Sequence, residues 1–160
     1  MISDLALYPT TCFGWGSGSG GALGRNVKLQ LTPKEVDIPH KNNHSQHPII
    51  SVYAGDRITM AVTTNGEAYS WGSGPIGRKC VASKKDIPKK LQSPTFVVKC
   101  SLGVKHAACI SKCENGNHRV FSFGDASDGK LGLKQKRKGI VELPTAITVG
   151  GKCIDVACGE

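Results

Sequence analysis

Nowhere in this chain do 18 apolar residues follow one another, so no stretch reads as a membrane-crossing helix. Met1 to Thr11 has neither the basic opening nor the long apolar core of a secretory signal, so the expectation is a soluble, intracellular protein of nucleus or cytoplasm. Acidic residues are scarce. Only 12 Asp and Glu stand against 21 Lys and Arg, a formal net charge of +9. No window carries apolar residues at sustained helical spacing, which argues against a helical domain.

Disulfides are not required. The seven cysteines are an odd number and are scattered, and Cys100, Cys109 and Cys158 fall on expected strands, where a thiol serves as a small apolar side chain. Cys109 and Cys113 near His106 and His118 have a zinc-like spacing, but strand alternation puts His106 and Cys109 on opposite faces, so no metal is expected.

What the chain does contain is repetition. Phe13, Gly14, Trp15 and Gly16 return as Tyr69, Ser70, Trp71 and Gly72, and again as Phe121, Ser122, Phe123 and Gly124. Gly21, Gly77 and Gly129 follow at one offset, and Leu23 and Gly24 match Leu131 and Gly132, where the middle copy has Lys79 and Cys80. An acidic, aliphatic, proline triplet occurs as Asp37 to Pro39, Asp86 to Pro88 and Glu142 to Pro144. Segments ending in Gly55, Gly103 and Gly159 form a further column. A fixed period of about 50 residues marks a repeat architecture.

The unit is built from strands. Ile58, Met60 and Val62 alternate with Thr59, Ala61 and Thr63, Asn65 and Gly66 supply a tight turn with positive backbone angles, and Ala68 to Trp71 return. Ile50 to Tyr53 reads as a further strand. The third copy runs from His106 to Ser111 and Arg119 to Phe123 across a longer turn. Repeats of this length with about four short strands each predict an all-β propeller, here an incomplete ring of about three blades. Trp15, Trp71 and Phe123 are expected to pack between neighbouring blades.

These columns resemble the regulator of chromosome condensation repeat family. Val156 to Gly159, Gly103 with His106, and Tyr69 to Gly72 carry the likeness, while Ile58 stands where the family pattern has His. The resemblance implies a closed ring of about seven blades and a structural role for His106; separately, no cofactor is expected. The expected divisions are a partial blade 1–36, repeats 37–85 and 86–141, and a partial blade 142–160. Open blade edges predict self-association.

Two look-alikes fail. Gly14, Gly16, Gly18, Gly20 and Gly21 mimic a nucleotide loop, yet no helical pattern follows. His40, His44 and His47 share one polar loop without a nucleophile that spacing can pair with them, so no catalytic residue is assigned.

Charge is concentrated in repeat-equivalent loops: Arg25, Lys28 and Lys34; Lys84 and Lys85, extended by Lys89 and Lys90; and Lys134, Lys136, Arg137 and Lys138. Equivalent loops leave a propeller on one face, so these residues would form a positive arc that attracts phosphates or an acidic protein surface. The alternative is a set of solvated loops that keep the protein soluble.

Three functions follow from the resemblance. The first is a binding module that meets a protein partner, chromatin or DNA. The second is nucleotide exchange on a small GTPase. The third is an ultraviolet photoreceptor-like propeller, which would need clustered tryptophans where this chain has two.

Overall fold

The computed structural model describes residues 10–39, 47–79, 86–134 and 139–160. Ten strands follow in order: β1 (Phe13–Ser17), β2 (Leu29–Glu35), β3 (Ile49–Ala54), β4 (Ile58–Thr63), β5 (Ala68–Gly72), β6 (Lys89–Lys90), β7 (Val97–Leu102), β8 (His106–Lys112), β9 (His118–Asp125) and β10 (Ile140–Ile147). They make three antiparallel meanders, β1-β2, β3-β4-β5-β6 and β7-β8-β9-β10. These are propeller blades, the first represented by its two outer strands. Among the described residues the helical content is two short 3-10 turns, Ser19–Gly21 and Ser127–Gly129.

Every residue of β4 is buried, because the second blade is covered on both faces. The two-residue alternation divides its side chains between two cores. Ile58, Met60 and Val62 join Val97, Cys100, Cys109 and Phe123 on the side of the third blade. Ala61, Tyr69 and Trp71 join Cys12, Val36 and Ile38 on the side of the first. The hairpin at Asn65 and Gly66 differs from expectation. Only Gly66 has a positive φ, 78°, while Asn65 accepts the Thr63 hydroxyl on its Oδ1 at 2.6 Å and closes the turn with its side chain.

Strand pairing also corrects one repeat column. Phe13 faces Glu35, Tyr69 faces Lys90 and Phe121 faces Ala146, which makes Pro33, Pro88 and Pro144 the equivalent prolines. Pro39 therefore does not belong with Pro88, and the surplus residues of the first copy lie between β2 and β3. Pro33 and Pro144 sit inside outermost strands, where the missing N–H faces no further strand. The boundary at 85/86 falls between β5 and β6 of one sheet, and that at 141/142 falls inside β10. The sheet and the sequence repeat are thus different cuts of one period.

The three blades are linked by aromatic residues and by the glycines that approach them. Trp71, 1% exposed, donates its indole N–H to the Ala22 carbonyl at 2.8 Å, and the Thr59 hydroxyl donates to the same oxygen at 2.9 Å. Phe123 is fully buried, and a β-carbon on Gly77 would lie 3.0 Å from its ring. In each case the loop of one blade covers the aromatic of the next. Trp15 departs from this expectation. It is 61% exposed, because among the described residues no preceding blade offers it a loop.

Near the inner ends, Gly55, Gly103 and Gly159 form a contiguous column. A β-carbon on Gly55 would meet the Gly103 carbonyl oxygen at 3.0 Å, and one on Gly103 would overlap that of Gly159. Ile58 and His106 pair with Gly72 and Gly124 respectively, so both occupy one slot. Gly72 and Gly124 have φ of 114° and 115°, and a side chain there would run into the backbone of Arg57 or Lys105.

Candidate functional site

The meander direction sorts the connections by end. The loops 18–28, 73–88 and 126–139 leave the outer strands at the same end as the turns after β3 and β7, and the hairpins 64–67 and 113–117 lie at the opposite end. Among the described residues, Arg25, Lys28 and Lys134 therefore stand on loops at one end.

Of those residues, Lys28 and Lys134 are exposed and Arg25 is half-buried. Lys84, Lys85, Lys136, Arg137 and Lys138 lie outside the described residues. Lys34 and Lys89 are exposed on outermost strands. Lys90 is engaged elsewhere: its Nζ contacts Glu67 Oε1 in a close ion pair near the opposite end. Burial pushes the Glu67 carboxyl up, but hydrogen bonds from Lys90 and Tyr69 outweigh it and hold the group below its ordinary value.

The described part of the basic end contains a cleft of about 470 Å³ between the first and second blades, lined by Gly18 to Gly21, Arg25, Lys28 and Asp86. Its floor explains the glycine run. A β-carbon on Gly21 would come within 2.8 Å of the Asp86 Cα, so the segment brings two loops together, and a 3-10 turn stands where a nucleotide loop would open a helix. Arg78, absent from the sequence expectation, donates from Nη2 to the carbonyls of Ser70 at 3.2 Å and Ile87 at 3.1 Å. It fastens the second loop to its own sheet.

The departure of the second copy at Lys79 and Cys80 has a structural counterpart. Ser122 donates to the Leu131 carbonyl at 2.6 Å, and the equivalent Ser70 donates to that of Ile76 at 2.6 Å, so Ile76 takes the place of the missing leucine. His106 is buried, with Nδ1 lacking a hydrogen-bond partner among the described residues. Burial first, then the Lys130 charge, lowers its pKa, and Asp125 opposes them. Its ring fills the slot under Gly103 by shape. Among the described residues no group of His, Cys, Asp and Glu is placed to hold a metal.

Comparison with known proteins places these features in one family. The Regulator of chromosome condensation (RCC1) repeat matches residues 11–62 and 117–160. The E3 ubiquitin-protein ligase HERC2 of Homo sapiens is 32% identical over 133 residues, covering 80% of this chain and 3% of the ligase. The Ultraviolet-B receptor UVR8 of Arabidopsis thaliana is 30% identical over 152 residues, 92% of this chain and 32% of the receptor. Among solved structures, Prp20p from Saccharomyces cerevisiae, described with its binding properties to Gsp1p and histones, superposes with a TM-score of 0.72 at 23% identity, over 93% of this chain and 37% of that one. The chain therefore spans a minor part of the length of each of these proteins.

Proposed function

Because the chain belongs to the Regulator of chromosome condensation (RCC1) repeat family, we propose that it is a protein-interaction β-propeller segment of a larger regulatory protein, acting in nucleus or cytoplasm. Its loop end would meet an acidic surface, with chromatin the favoured partner. The observation that carries this reading is the common end of the three loops between the two outer strands of each blade, with Arg25 and Lys28 beside a cleft and Lys134 exposed. A net charge of +9 adds long-range attraction to phosphate. Lys84, Lys85, Lys136, Arg137 and Lys138 would complete the arc by their place in the repeat.

The test replaces Lys84, Lys85, Lys134, Lys136, Arg137 and Lys138 by Gln. Nucleosome and duplex DNA binding is then followed in gel-shift titrations at several salt concentrations. Each lost phosphate contact flattens the logarithmic salt slope by about one. An unchanged affinity at low salt would leave the loops as solvating surface.

A second reading, nucleotide exchange on a small GTPase, has one specific support: Prp20p is described as binding both Gsp1p and histones. Release of a fluorescent guanine nucleotide from a purified GTPase, with and without the chain, separates exchange from simple binding. Light sensing lacks such support, since one of the two tryptophans is buried in the second blade and the other is exposed on the first. Self-association would use β1, whose inner edge has no strand partner among the described residues, while its equivalents β5 and β9 pair on both sides.

A further inference from the structure

The end opposite the basic loops carries a second surface that the repeat pattern does not explain. The segment 91–96 crosses from the second blade to the third and finishes on Phe96, whose φ is 54°. That conformation is rare for a bulky residue and suits glycine. It is pinned on both sides. Val97 donates to the Gly66 carbonyl at 2.8 Å, Lys112 donates to the Phe96 carbonyl at 2.9 Å, and the Ser111 hydroxyl donates to the Thr95 carbonyl. Phe96 as a whole is 56% exposed, so the strained backbone is not offset by burial of the residue. Strain held by its surroundings and an unburied aromatic together are the pattern of a recognition residue.

Phe96 stands between two depressions. One, of about 640 Å³, is lined by Gly66, Ala68, Leu91, Pro94 and Phe96, with the Glu67 and Lys90 pair at its margin. The other, of about 460 Å³, is lined by Pro94, Phe96, Lys112, Glu114, Arg119 and Phe121. Lys90 is neutralised by Glu67. Lys112 and Arg119 are both exposed and face only Glu114 among the charged residues of the second depression. The pair of clefts is thus apolar on one side of the ring and positive on the other.

We infer that this face docks an extended segment of another protein in which an apolar side chain is flanked by carboxylates. The apolar group would enter beside Leu91 and Pro94, an aromatic or aliphatic neighbour would pack on Phe96, and the carboxylates would meet Lys112 and Arg119. The proposal rests on the reading of the chain as a binding module but uses the other end of the blades.

The experiment pans a displayed library of random dodecapeptides on the full folded chain and, in parallel, on the Phe96→Gly variant. Affinities of enriched peptides are then measured by fluorescence polarisation. Enrichment of acidic peptides with an apolar pair, weakened tenfold or more by Phe96→Gly, is the expected result. The variant should melt at the same or a higher temperature, because glycine relieves the positive φ. The double variant Lys112→Glu and Arg119→Glu keeps Phe96 and should lose acidic peptides while gaining basic ones. No enrichment over the Phe96→Gly chain, or equal binding of acidic and basic peptides, overturns the proposal. The six-residue loop variant separates the two faces: it should keep peptide affinity even where DNA binding is lost, and loss of the peptide there would overturn the assignment to this end.

Discussion

Gly103 lies against the carbonyl oxygen of Gly159 so closely that no β-carbon fits between them, and Gly55 repeats the relationship one blade earlier against Gly103. The contact fastens the terminal segment 154–159 to the third blade. Cys158 adds to it, donating its amide to the Ser101 hydroxyl at 2.8 Å, and Lys99 pairs with Asp155 at 2.7 Å. Both charges of that pair are exposed, so packing and the backbone contact carry most of the attachment.

Gly103→Ala should therefore cost about 1–3 kcal/mol, the usual range for overpacking. The loss would appear as an earlier urea midpoint and as faster amide exchange at Cys158. Gly55→Ala, with 3.0 Å to the next carbonyl, should cost less. Equal effects from the two would show that the segment 154–159 yields freely.

The glycine column was legible in the sequence because it recurs with the repeat, and backbone crowding accounts for it most strictly at Gly103 and less so at Gly55. The paired strands were legible too, since Ile58, Met60 and Val62 alternate with residues of a second core. The outermost strands were not. β6 has two residues, both lysines, and β2 and β10 carry proline and irregular register, so neither length nor alternation marks them. The misplaced triplet at Asp37 to Pro39 has the same origin: composition matched, but only cross-strand pairing distinguishes Pro33 from Pro39. Phe96 left no signal, because an isolated aromatic after Ser-Pro-Thr resembles ordinary loop sequence.

The two tryptophans should separate cleanly. Trp71→Ala removes a buried ring and the donor to Ala22, so a loss of about 3–5 kcal/mol is expected. Trp15→Ala should change stability by no more than about 0.5 kcal/mol, as befits an exposed side chain. Acrylamide should quench Trp15 in the Trp71→Phe variant far more than Trp71 in the Trp15→Phe variant. Equal quenching would mean that Trp15 is covered in solution, as self-association would require.

Cysteine reactivity should follow burial. Cys100 and Cys109 face each other across β7 and β8. Burial, and then neighbouring thiols, pushes both upward, Cys109 to about 12. The thiolate is the reactive form. In native protein at pH 8, Cys113 and Cys153 should be alkylated first and Cys100 and Cys109 only on unfolding, as read residue by residue by mass spectrometry.

His106 gives the fold a pH dependence whose sign can be worked out. Burial lowers its pKa beneath the ordinary 6.5, so the unfolded chain binds the proton more readily than the folded one. The contribution of His106 to stability is therefore complete above pH 6.5 and is lost as pH falls through the folded value. Below pH 4.5, Glu67, Asp125 and Asp155, all held below their ordinary values, add a separate loss, since they are protonated more easily in the unfolded chain. His106→Ile copies the residue that the second blade places in the same slot. It should flatten the decline in melting temperature between pH 7 and pH 5 and leave the steeper acid limb in place. A variant that declines as steeply as wild type over that window would mean that the ring meets water in the native state, and that its fit under Gly103 is looser than the buried Nδ1 indicates.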